Sequence, residues 1–363
     1  METNFVINNY ISSLYTEFDK RNFSAFLDKF YNFLDSYQIL DKDTTGIFSY
    51  GKDVLVNKFN QFKKRFPISY DFIPESYNYP RDRKQIYNKF KDYKINVDDL
   101  WLTKPVKGFG GIGIQFFTSY KDMPRYHVVL CKYIKNPLLI NYKKFDLRLY
   151  VLVTDMNPLK IYLLNEGLVR FASDKYKIDK VTLKNKFIHL TNVAVNKRNR
   201  KNYTPSEFGS AKGTLWNLST LQKVIENYGQ KWEPIWKKIQ DIIIKYFAMY
   251  TEDAIEIEKK QNIKNRMINI WGIDIIIDDN FKPFLLESNS LPSLGSVVNW
   301  EGPLKVEFLK DTLNILGLRS LDRSNGTIYY KERTPQEKVD ESICEMTRPT
   351  GSFERIFPKL SNI

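Results

Sequence analysis

The sequence predicts a mixed α/β (α+β) fold from two kinds of pattern. Apolar residues recur at helical spacing in residues 1–50, from Phe23 to Phe33, and again between Ile235 and Tyr246. Between these stretches lie short apolar or alternating runs, bounded by Gly, Pro, Asn and Asp, which are typical of β-strands. A chain of 363 residues is long enough for two or three domains with cores of their own.

Composition narrows the class of protein. Apolar residues make up 42% of the chain and aromatic residues 15%, which excludes a disordered protein. The net charge of +14 favours an anionic partner, whether nucleic acid, an anionic membrane or an acidic polypeptide. Two cysteines, Cys131 and Cys344, are too few for a disulfide framework and indicate a reducing compartment. The sequence has no signal-peptide pattern and no apolar run of membrane-spanning length, so we expect a cytosolic or nuclear protein.

A glycine-rich stretch lies between two predicted strands. Leu100–Pro105 and Ile114–Phe117 read as short strands, and Val106–Gly113 connects them. Such a loop can bring backbone N–H groups close to a phosphate. It is not a Walker A loop, because no GK[ST] follows, and it is not a Rossmann fingerprint, because no helix follows.

The next strands carry regularly spaced charges. Val128–Ile134 is an apolar strand that ends in a mixed segment, and another strand covers Lys144–Val153. In the second strand Lys144, Asp146 and Arg148 alternate with apolar residues, which places all three charges on one face. Either a solvated strand face or a functional face fits this pattern.

The remaining segments contain fewer candidate functional residues. Ile161–Leu164 and Leu168–Phe171 are predicted to form a further strand pair, with Arg170 near its end. The basic patch Lys197–Lys201 is expected to be a solvated loop. A helix is predicted over Leu304–Leu316, ending before Gly317, and the polar residues from Arg319 onwards are expected to form an irregular extension.

The run WGIDIIIDDNFKPFLLE (271–287) predicts a β-hairpin. Its two β-rich parts, Trp271–Ile277 and Phe284–Glu287, are separated by the turn-forming sequence DDNFKP. If residues 279–282 form the loop, Asp278 pairs with Pro283, and counting back along both strands places Asp274 opposite Glu287.

This register brings together candidate metal ligands. Paired residues point to the same face, and Asn289 lies two residues beyond Glu287, so two carboxylates and an amide oxygen converge with Asp274. Hard oxygen ligands of this kind suit Mg²⁺, which also takes oxygens from a nucleotide phosphate. The alternative is a hairpin with a solvated acidic face.

Taken in order, these motifs resemble the tubulin tyrosine ligase-like family over about residues 70–317. The resemblance rests on the Lys-Pro glycine loop, the hinge-like strand, KFDLRLYVLVTDMNPLKIYLLNEGLVRFASDKY, KFIHLTNVAVNK and IDIIIDDNFKPFLLESNSLPSL. Within the family, FDLRLYVLVTD and GLVRFAS are more similar to the polyglutamylase, glutamate-adding branch. The resemblance implies an ATP-grasp fold with an N-terminal subdomain (1–100), a central one (101–135), a C-terminal one with the metal site (136–317) and an extension (318–363).

The resemblance also implies a role for each matching residue. ATP is expected at Lys104, Gly110, Gly111, Gly113, Cys131, Lys132, Tyr133, Ile134, Lys144, Asp146, Thr191 and Asn192. Mg²⁺ is expected at Asp274, Glu287 and Asn289. The residues expected to carry catalysis are Lys104, Arg148, Arg170 and Lys212, the last two holding the incoming glutamate and Arg148 meeting a phosphate or the acceptor carboxylate.

The family's chemistry would be ATP-dependent ligation of free L-glutamate to a glutamate side chain, through an acylphosphate. Such a reaction needs positioning and positive charge rather than a protein nucleophile. The acidic C-terminal tails of tubulin or microtubules would then be the anionic partner, with neither nucleic acid nor membrane. The expected location is the cytoplasm and cytoskeleton, with the cilium or basal body as a candidate site.

Alternatives remain at this point. The chain could be a glycine or tyrosine ligase of the same fold, or a catalytically silent microtubule-binding scaffold. A basic nucleic-acid binder has no supporting signature. Three departures from the glutamylase pattern, at Gly110, Val193-Ala194 and Ser290-Leu291-Pro292, leave open whether side chains are started or extended. The absence of His after Asn289 favours starting them.

Overall fold

The computed structural model describes residues 51–108, 110–261, 268–290, 292–317 and 334–359. The predicted N-terminal helical stretch in residues 1–50, residue 291 and residues 318–333 lie outside the described residues. Two antiparallel sheets, one four-stranded and one seven-stranded, organise the described chain. None of the described helices combines the length and the apolar character needed to cross a membrane.

The described part of the chain contains nine α-helices and eleven β-strands. The helices are α1 (Lys52–Arg65), α2 (Arg83–Phe90), α3 (Lys186–His189), α4 (Val193–Asn196), α5 (Leu218–Asn227), α6 (Trp232–Ala248), α7 (Thr251–Gln261), α8 (Glu301–Leu316) and α9 (Pro335–Met346). The strands are β1 (Ser76–Tyr79), β2 (Trp101–Pro105), β3 (Gln115–Phe116), β4 (Val128–Lys132), β5 (Leu139–Ile140), β6 (Lys143–Met156), β7 (Leu159–Phe171), β8 (Leu215–Asn217), β9 (Asn269–Ile277), β10 (Pro283–Ser290) and β11 (Phe353–Phe357).

The smaller sheet has the strand order β1-β4-β2-β3. Helix α2 covers it with Ile86 and Phe90, which pack with Trp101, Phe117 and Leu130 in one buried cluster. Because β1 pairs with β4, the subdomain boundary predicted at residue 100 falls within one sheet.

The larger sheet has the strand order β10-β9-β6-β7-β11, with β5 beside β6 and β8 beside β7. One face packs against α6, whose apolar residues share a core with Leu147, Leu149 and Val151 of β6. The other face packs against α8 through Phe308 and Leu309. Helices α6 and α8 confirm the two helices predicted there, and α8 ends where Gly317 adopts a φ of 67°.

Two predictions about this sheet are wrong. Ile161–Leu164 and Leu168–Phe171 do not pair with each other, since both belong to the single strand β7, which pairs with β6. The C-terminal extension is not irregular in its described part, since it forms helix α9 and strand β11. Strand β11 pairs with β7 and so occupies an edge of the larger sheet.

Candidate active site

A cleft of about 660 Å³ lies between the two sheets. Its walls include β2 and β4 of the smaller sheet and β6, β7, β9 and β10 of the larger one. The N-terminus of α1 also reaches the cleft, through Gly51, Lys52 and Asp53. Charged side chains from both sheets therefore face one shared cleft.

Most of the residues predicted to form the site line this cleft. They are Lys104, Cys131, Lys132, Tyr133, Ile134, Lys144, Asp146, Arg170, Thr191, Asn192, Asp274, Glu287 and Asn289. Five predicted residues are not among its lining: Gly110, Gly111, Gly113, Arg148 and Lys212. Of these, Lys212 is exposed in the segment between α4 and β8.

Four charged side chains at one end of β6, β7 and β9 form a network, which we call the cleft cluster: Asp146, Arg148, Arg170 and Asp274. Strand pairing places Asp146 opposite Arg170 and Arg148 opposite Asp274. Arg170 donates to Asp146 from Nε at 2.8 Å and from Nη2 at 2.5 Å. Arg148 donates to Asp274 from Nε at 2.5 Å and from Nη2 at 3.0 Å, and Arg170 Nη2 lies 2.9 Å from Asp274 Oδ2.

Burial and pairing set the charge states of this cluster. Burial by itself would raise the pKa of Asp274, but Arg148 and Arg170 outweigh it and hold that pKa below its usual value. Burial likewise acts to lower the pKa of Arg170, and the carboxylates of Asp146 and Asp274 hold it well above its usual value instead. Both groups are therefore ionised, as expected for buried charges that have partners.

Gly272 makes room for one of these arginines. A Cβ at this position would lie 3.2 Å from Arg148 Cδ and 2.8 Å from Cβ of Pro292. Any larger residue would push Arg148 away from Asp274 or displace the segment that follows β10. The glycine is thus required by a close approach rather than by its backbone angles.

The hairpin register places Asp274 opposite Glu287, as the sequence predicts, although the intermediate pairing differs. Pro283 pairs with Ile277 rather than with Asp278, and a bulge between Leu285 and Glu287 restores the offset. Both Glu287 and Asn289 line the cleft beside Asp274.

The donor set suits a hard divalent cation, with a constraint. Both carboxylate oxygens of Asp274 already accept hydrogen bonds from Arg148 or Arg170. In the described part of the chain, no group of three or more His, Cys, Asp or Glu side chains could hold a metal ion. A metal at Asp274 and Glu287 would therefore need the amide oxygen of Asn289, and phosphate or water oxygens, to complete its coordination.

Lys52 is a site residue that the sequence reasoning missed. Its Nζ lies 3.1 Å from Glu287 Oε1 and donates to the carbonyl of Gly108 at 2.8 Å. The side chain thus joins α1, the glycine-rich loop and the predicted metal ligands. No local pattern could have revealed it, because it is one lysine in a strongly basic sequence.

The glycine-rich loop packs against the segment after α3. Gly111 has a φ of +79°, and a Cβ there would lie 2.8 Å from Asn192 Oδ1. Gly111 is therefore required both for its left-handed backbone and for this close approach. Although Gly111 does not line the cleft, it contacts a residue that does.

The segment Cys131–Ile134, which the family resemblance predicts to be the hinge that contacts the adenine base, already uses some of its backbone groups in internal hydrogen bonds. The backbone N–H of Lys132 donates to the carbonyl of Glu75, and that of Tyr133 donates to Leu100, each at 2.8 Å. Those two donors hold the smaller sheet together, so a base in the cleft would have to use other backbone groups of the hinge.

Lys144 is a buried cation at the inner wall of the cleft. It is 7% exposed, and burial lowers its pKa to about 7, with Asp146 opposing this shift and Lys104 reinforcing it. Its charge at neutral pH therefore depends on what occupies the cleft. An anionic ligand would favour the charged form.

The fold and the site together define a mixed α/β protein whose antiparallel sheets enclose a cationic cleft with carboxylate and amide oxygens at one side. Lys52, Lys104, Lys144 and Arg170 offer positive charge there, and Asp274, Glu287 and Asn289 offer hard oxygen ligands. This combination suits the phosphates of a nucleotide.

The chain belongs to the tubulin-tyrosine ligase family, whose model matches residues 33–323. It is 34% identical over 278 residues to tubulin monoglutamylase TTLL4 of Mus musculus, which covers 75% of this chain and 23% of that protein. It is 34% identical over 333 residues to tubulin polyglutamylase ttll-4 of Caenorhabditis elegans, covering 87% and 54%. Tubulin polyglutamylase ttll6 of Danio rerio is 31% identical over 341 residues, covering 85% and 42%. The chain thus spans about a quarter to about half of the length of these relatives.

Proposed function

We propose that this chain is an ATP-dependent ligase that joins free glutamate to glutamate side chains in the acidic tails of tubulin. Relatives that match most of the chain are named tubulin monoglutamylase and tubulin polyglutamylase. The observation that carries the proposal is the convergence of thirteen predicted site residues, from separate motifs, on one cleft of about 660 Å³. A scaffold without activity has no need of such a cleft.

In this proposal the fold is ATP-grasp, and ATP lies between the sheets. Lys104 and Lys144 contact its phosphates, Lys52 reaches the same region, and the Cys131–Ile134 hinge contacts its base. Mg²⁺, held by Asp274, Glu287 and Asn289, would supply charge that stabilises the phosphates during transfer. The hairpin β9–β10 presents all three of these residues to the cleft.

The ligation has two steps. An oxygen of the acceptor carboxylate attacks the γ-phosphorus of ATP, the bond to the β–γ bridging oxygen breaks, and ADP leaves. The amine of the incoming glutamate then attacks the acyl carbon, phosphate leaves with the bonding electrons, and the amine loses a proton as the amide forms. Lys104 would stabilise the developing negative charge, which is the main task of the protein in such transfers, and Arg170 would hold the incoming glutamate.

Tubulin tails fit the charge of the molecule. The chain carries +14, and the basic patch Lys197–Lys201 directly follows α4, whose N-cap residue Asn192 lines the cleft. Exposed lysines and arginines there would attract an acidic tail over long range, and salt would weaken that attraction. The protein would then act at the cytoskeleton, including the cilium or basal body.

The test is transfer of labelled glutamate to tubulin with ATP and Mg²⁺. We expect transfer by the wild type and almost none by Glu287→Gln, because the amide removes a charged metal ligand. Asp279→Asn is the matched control, since it makes the same chemical change at the exposed turn of the same hairpin. Equal activity of the wild type and Glu287→Gln would contradict the metal assignment.

Labelled glycine and tyrosine in parallel reactions separate the ligases of this family. Preferred incorporation of either would replace glutamate as the added amino acid. Labelling of other acidic proteins, but not of tubulin, would contradict the acceptor and leave the ligase activity intact.

A further inference from the structure

Behind Lys144, three buried side chains form a continuous chain of hydrogen bonds. The ammonium of Lys144 donates to the Tyr133 hydroxyl at 3.1 Å and to the backbone carbonyl of His189 at 3.0 Å. The Tyr133 oxygen lies 3.0 Å from His189 Nδ1, and His189 Nε2 lies 3.1 Å from the Thr182 carbonyl. Lys144 lies in β6, Tyr133 directly follows β4, and His189 is the last residue of α3.

The two hydrogen-bond partners of the His189 ring indicate how the protons are arranged. A carbonyl only accepts, so His189 Nε2 carries the hydrogen and donates it to Thr182. In the neutral ring Nδ1 is then an acceptor, so the Tyr133 hydroxyl donates to it. The Tyr133 oxygen is consequently free to accept from Lys144, which is what its ammonium requires. Burial lowers the pKa of His189 to about 4, helped by the charge of Lys144, so the ring is neutral at physiological pH.

Packing holds this chain in place. Tyr133 and His189 meet edge to face at 5.7 Å, and Phe116 packs edge to face on both rings at 5.1 Å. Lys144 Nζ also lies 4.4 Å from the centre of the Tyr133 ring. His189 is 4% exposed and Tyr133 7%. The ammonium is thus restrained on its protein side by two hydrogen bonds and an aromatic face.

An ammonium has three hydrogens, and the protein uses two of them. Since Lys144 lines the cleft, the third is left for a ligand there. Restraining a flexible four-carbon side chain before binding removes an entropy cost that the ligand would otherwise meet.

We propose that His189, acting through the Tyr133 hydroxyl, is a positioning residue that aims the Lys144 ammonium at a nucleotide phosphate in the cleft. This inference rests on the proposed function only in taking a nucleotide as the ligand. It assigns roles to the His189 ring and the Tyr133 hydroxyl that are distinct from the hinge backbone contacts expected of Tyr133.

Two substitutions of His189 divide its two hydrogen bonds. In His189→Asn, Oδ1 stands near the position of Nδ1 and still accepts from Tyr133, whereas the contact with Thr182 is lost. In His189→Gln, Nε2 still reaches Thr182, and the acceptor for Tyr133 is lost. Tyr133→Phe keeps the aromatic face and removes only the hydroxyl.

The measurement is ATP affinity by calorimetry, on the full chain with Mg²⁺ and without acceptor, together with KM values for ATP and glutamate. We expect Tyr133→Phe and His189→Gln to weaken ATP binding about five- to tenfold, and His189→Asn to stay within about twofold of the wild type. The double variant Tyr133→Phe with His189→Gln should be no weaker than either single one. The KM for glutamate should not change.

The outcomes separate the two proposals. Equal ATP affinity in the wild type and Tyr133→Phe, or a larger loss in His189→Asn than in His189→Gln, would overturn the positioning role, even if glutamate transfer proceeds. The expected affinity pattern without any transfer would support the positioning role and refute the ligase. A wild type that does not bind ATP would overturn both.

Discussion

Strands β6 and β7 carry two buried charged clusters toward opposite ends. At one end lies the cleft cluster of Asp146, Arg148, Arg170 and Asp274. At the other end Glu345 of helix α9 accepts from Thr154 at 2.7 Å, from Lys160 at 3.1 Å and from Tyr162 at 2.8 Å. We call this second group the anchor cluster.

The charged side chains of the two clusters are similarly buried, but only members of the cleft cluster border the cleft. Asp146 and Asp274 are 3% and 4% exposed, and Lys160 and Glu345 are 1% and 0% exposed. Asp146, Arg170 and Asp274 line the cleft, whereas no member of the anchor cluster does. Burial of paired charges is therefore not a sign of function by itself. The hydrogen bonds of the anchor cluster join helix α9 to the sheet. The ion pairs of the cleft cluster hold cationic side chains where a ligand in the cleft can contact them.

The largest expected effect is on the anchor cluster. Glu345→Gln keeps the size of the side chain and removes the carboxylate that Lys160, Thr154 and Tyr162 contact. We expect a loss of about 3 kcal/mol in the free energy of unfolding, measured by urea titration, because Lys160 then stays buried without that charge.

ATP affinity of the folded Glu345→Gln protein should be unchanged. Glu307→Gln on α8, an exposed partner of Lys310, is the control and should cost less than about 0.5 kcal/mol. A fall in ATP affinity with intact stability would reverse the roles assigned to the two clusters.

The second prediction concerns the cleft cluster. Asp274→Asn removes the charge shared by Arg148 and Arg170, so both guanidinium groups lose their common partner and a predicted metal ligand is lost. We expect kcat for glutamate transfer to fall about 100-fold, a loss typical of electrostatic groups in an active site.

Asp241→Asn, in an exposed pair with Lys245, is the matched control and should leave kcat unchanged. If Asp274→Asn instead lowered the free energy of unfolding while the folded fraction kept its kcat, the cleft cluster would be structural like the anchor cluster.

The smallest expected effect is the uptake of a proton by Lys144 when ATP binds. Above pH 7 the ammonium of Lys144 is mostly deprotonated in the free protein, since its pKa is about 7. ATP favours the charged form and raises that pKa, so binding at pH 8 should take up close to one proton. ATP affinity should fall as the pH rises from 7 to 9, by at most about tenfold per pH unit.

Calorimetry in two buffers of different ionisation enthalpy measures this uptake. Lys144→Arg should abolish it, because arginine stays charged throughout this range. Uptake that persists in Lys144→Arg would place the titrating group elsewhere.

Local patterns predicted much of this molecule. Period-two spacing placed Lys144, Asp146 and Arg148 on one strand face, and strand pairing then brought Asp146 to Arg170 and Arg148 to Asp274. The turn sequence predicted the hairpin. The pairing of Asp274 with Glu287 is confirmed. The turn differs by one residue from the predicted one, and a bulge at Leu286, which no local pattern predicted, restores that pairing.

Other features depend on contacts between distant parts of the chain. Strand β11 looked irregular because its five residues acquire strand geometry by pairing with β7, almost two hundred residues earlier. Lys52 became a site residue only when α1 came to lie beside Glu287 and Gly108.

The sequence by itself determined the mixed α/β class, the long helices, the hairpin and the residues whose chemistry suits a nucleotide, because these follow from periodicity, turn formers and motif order. Only the tertiary structure decided which charged residues share the cleft, which ones join helix α9 to the larger sheet, and which side chains restrain Lys144. Those outcomes depend on strand order and packing across long separations, which are set by the whole core rather than by any local pattern.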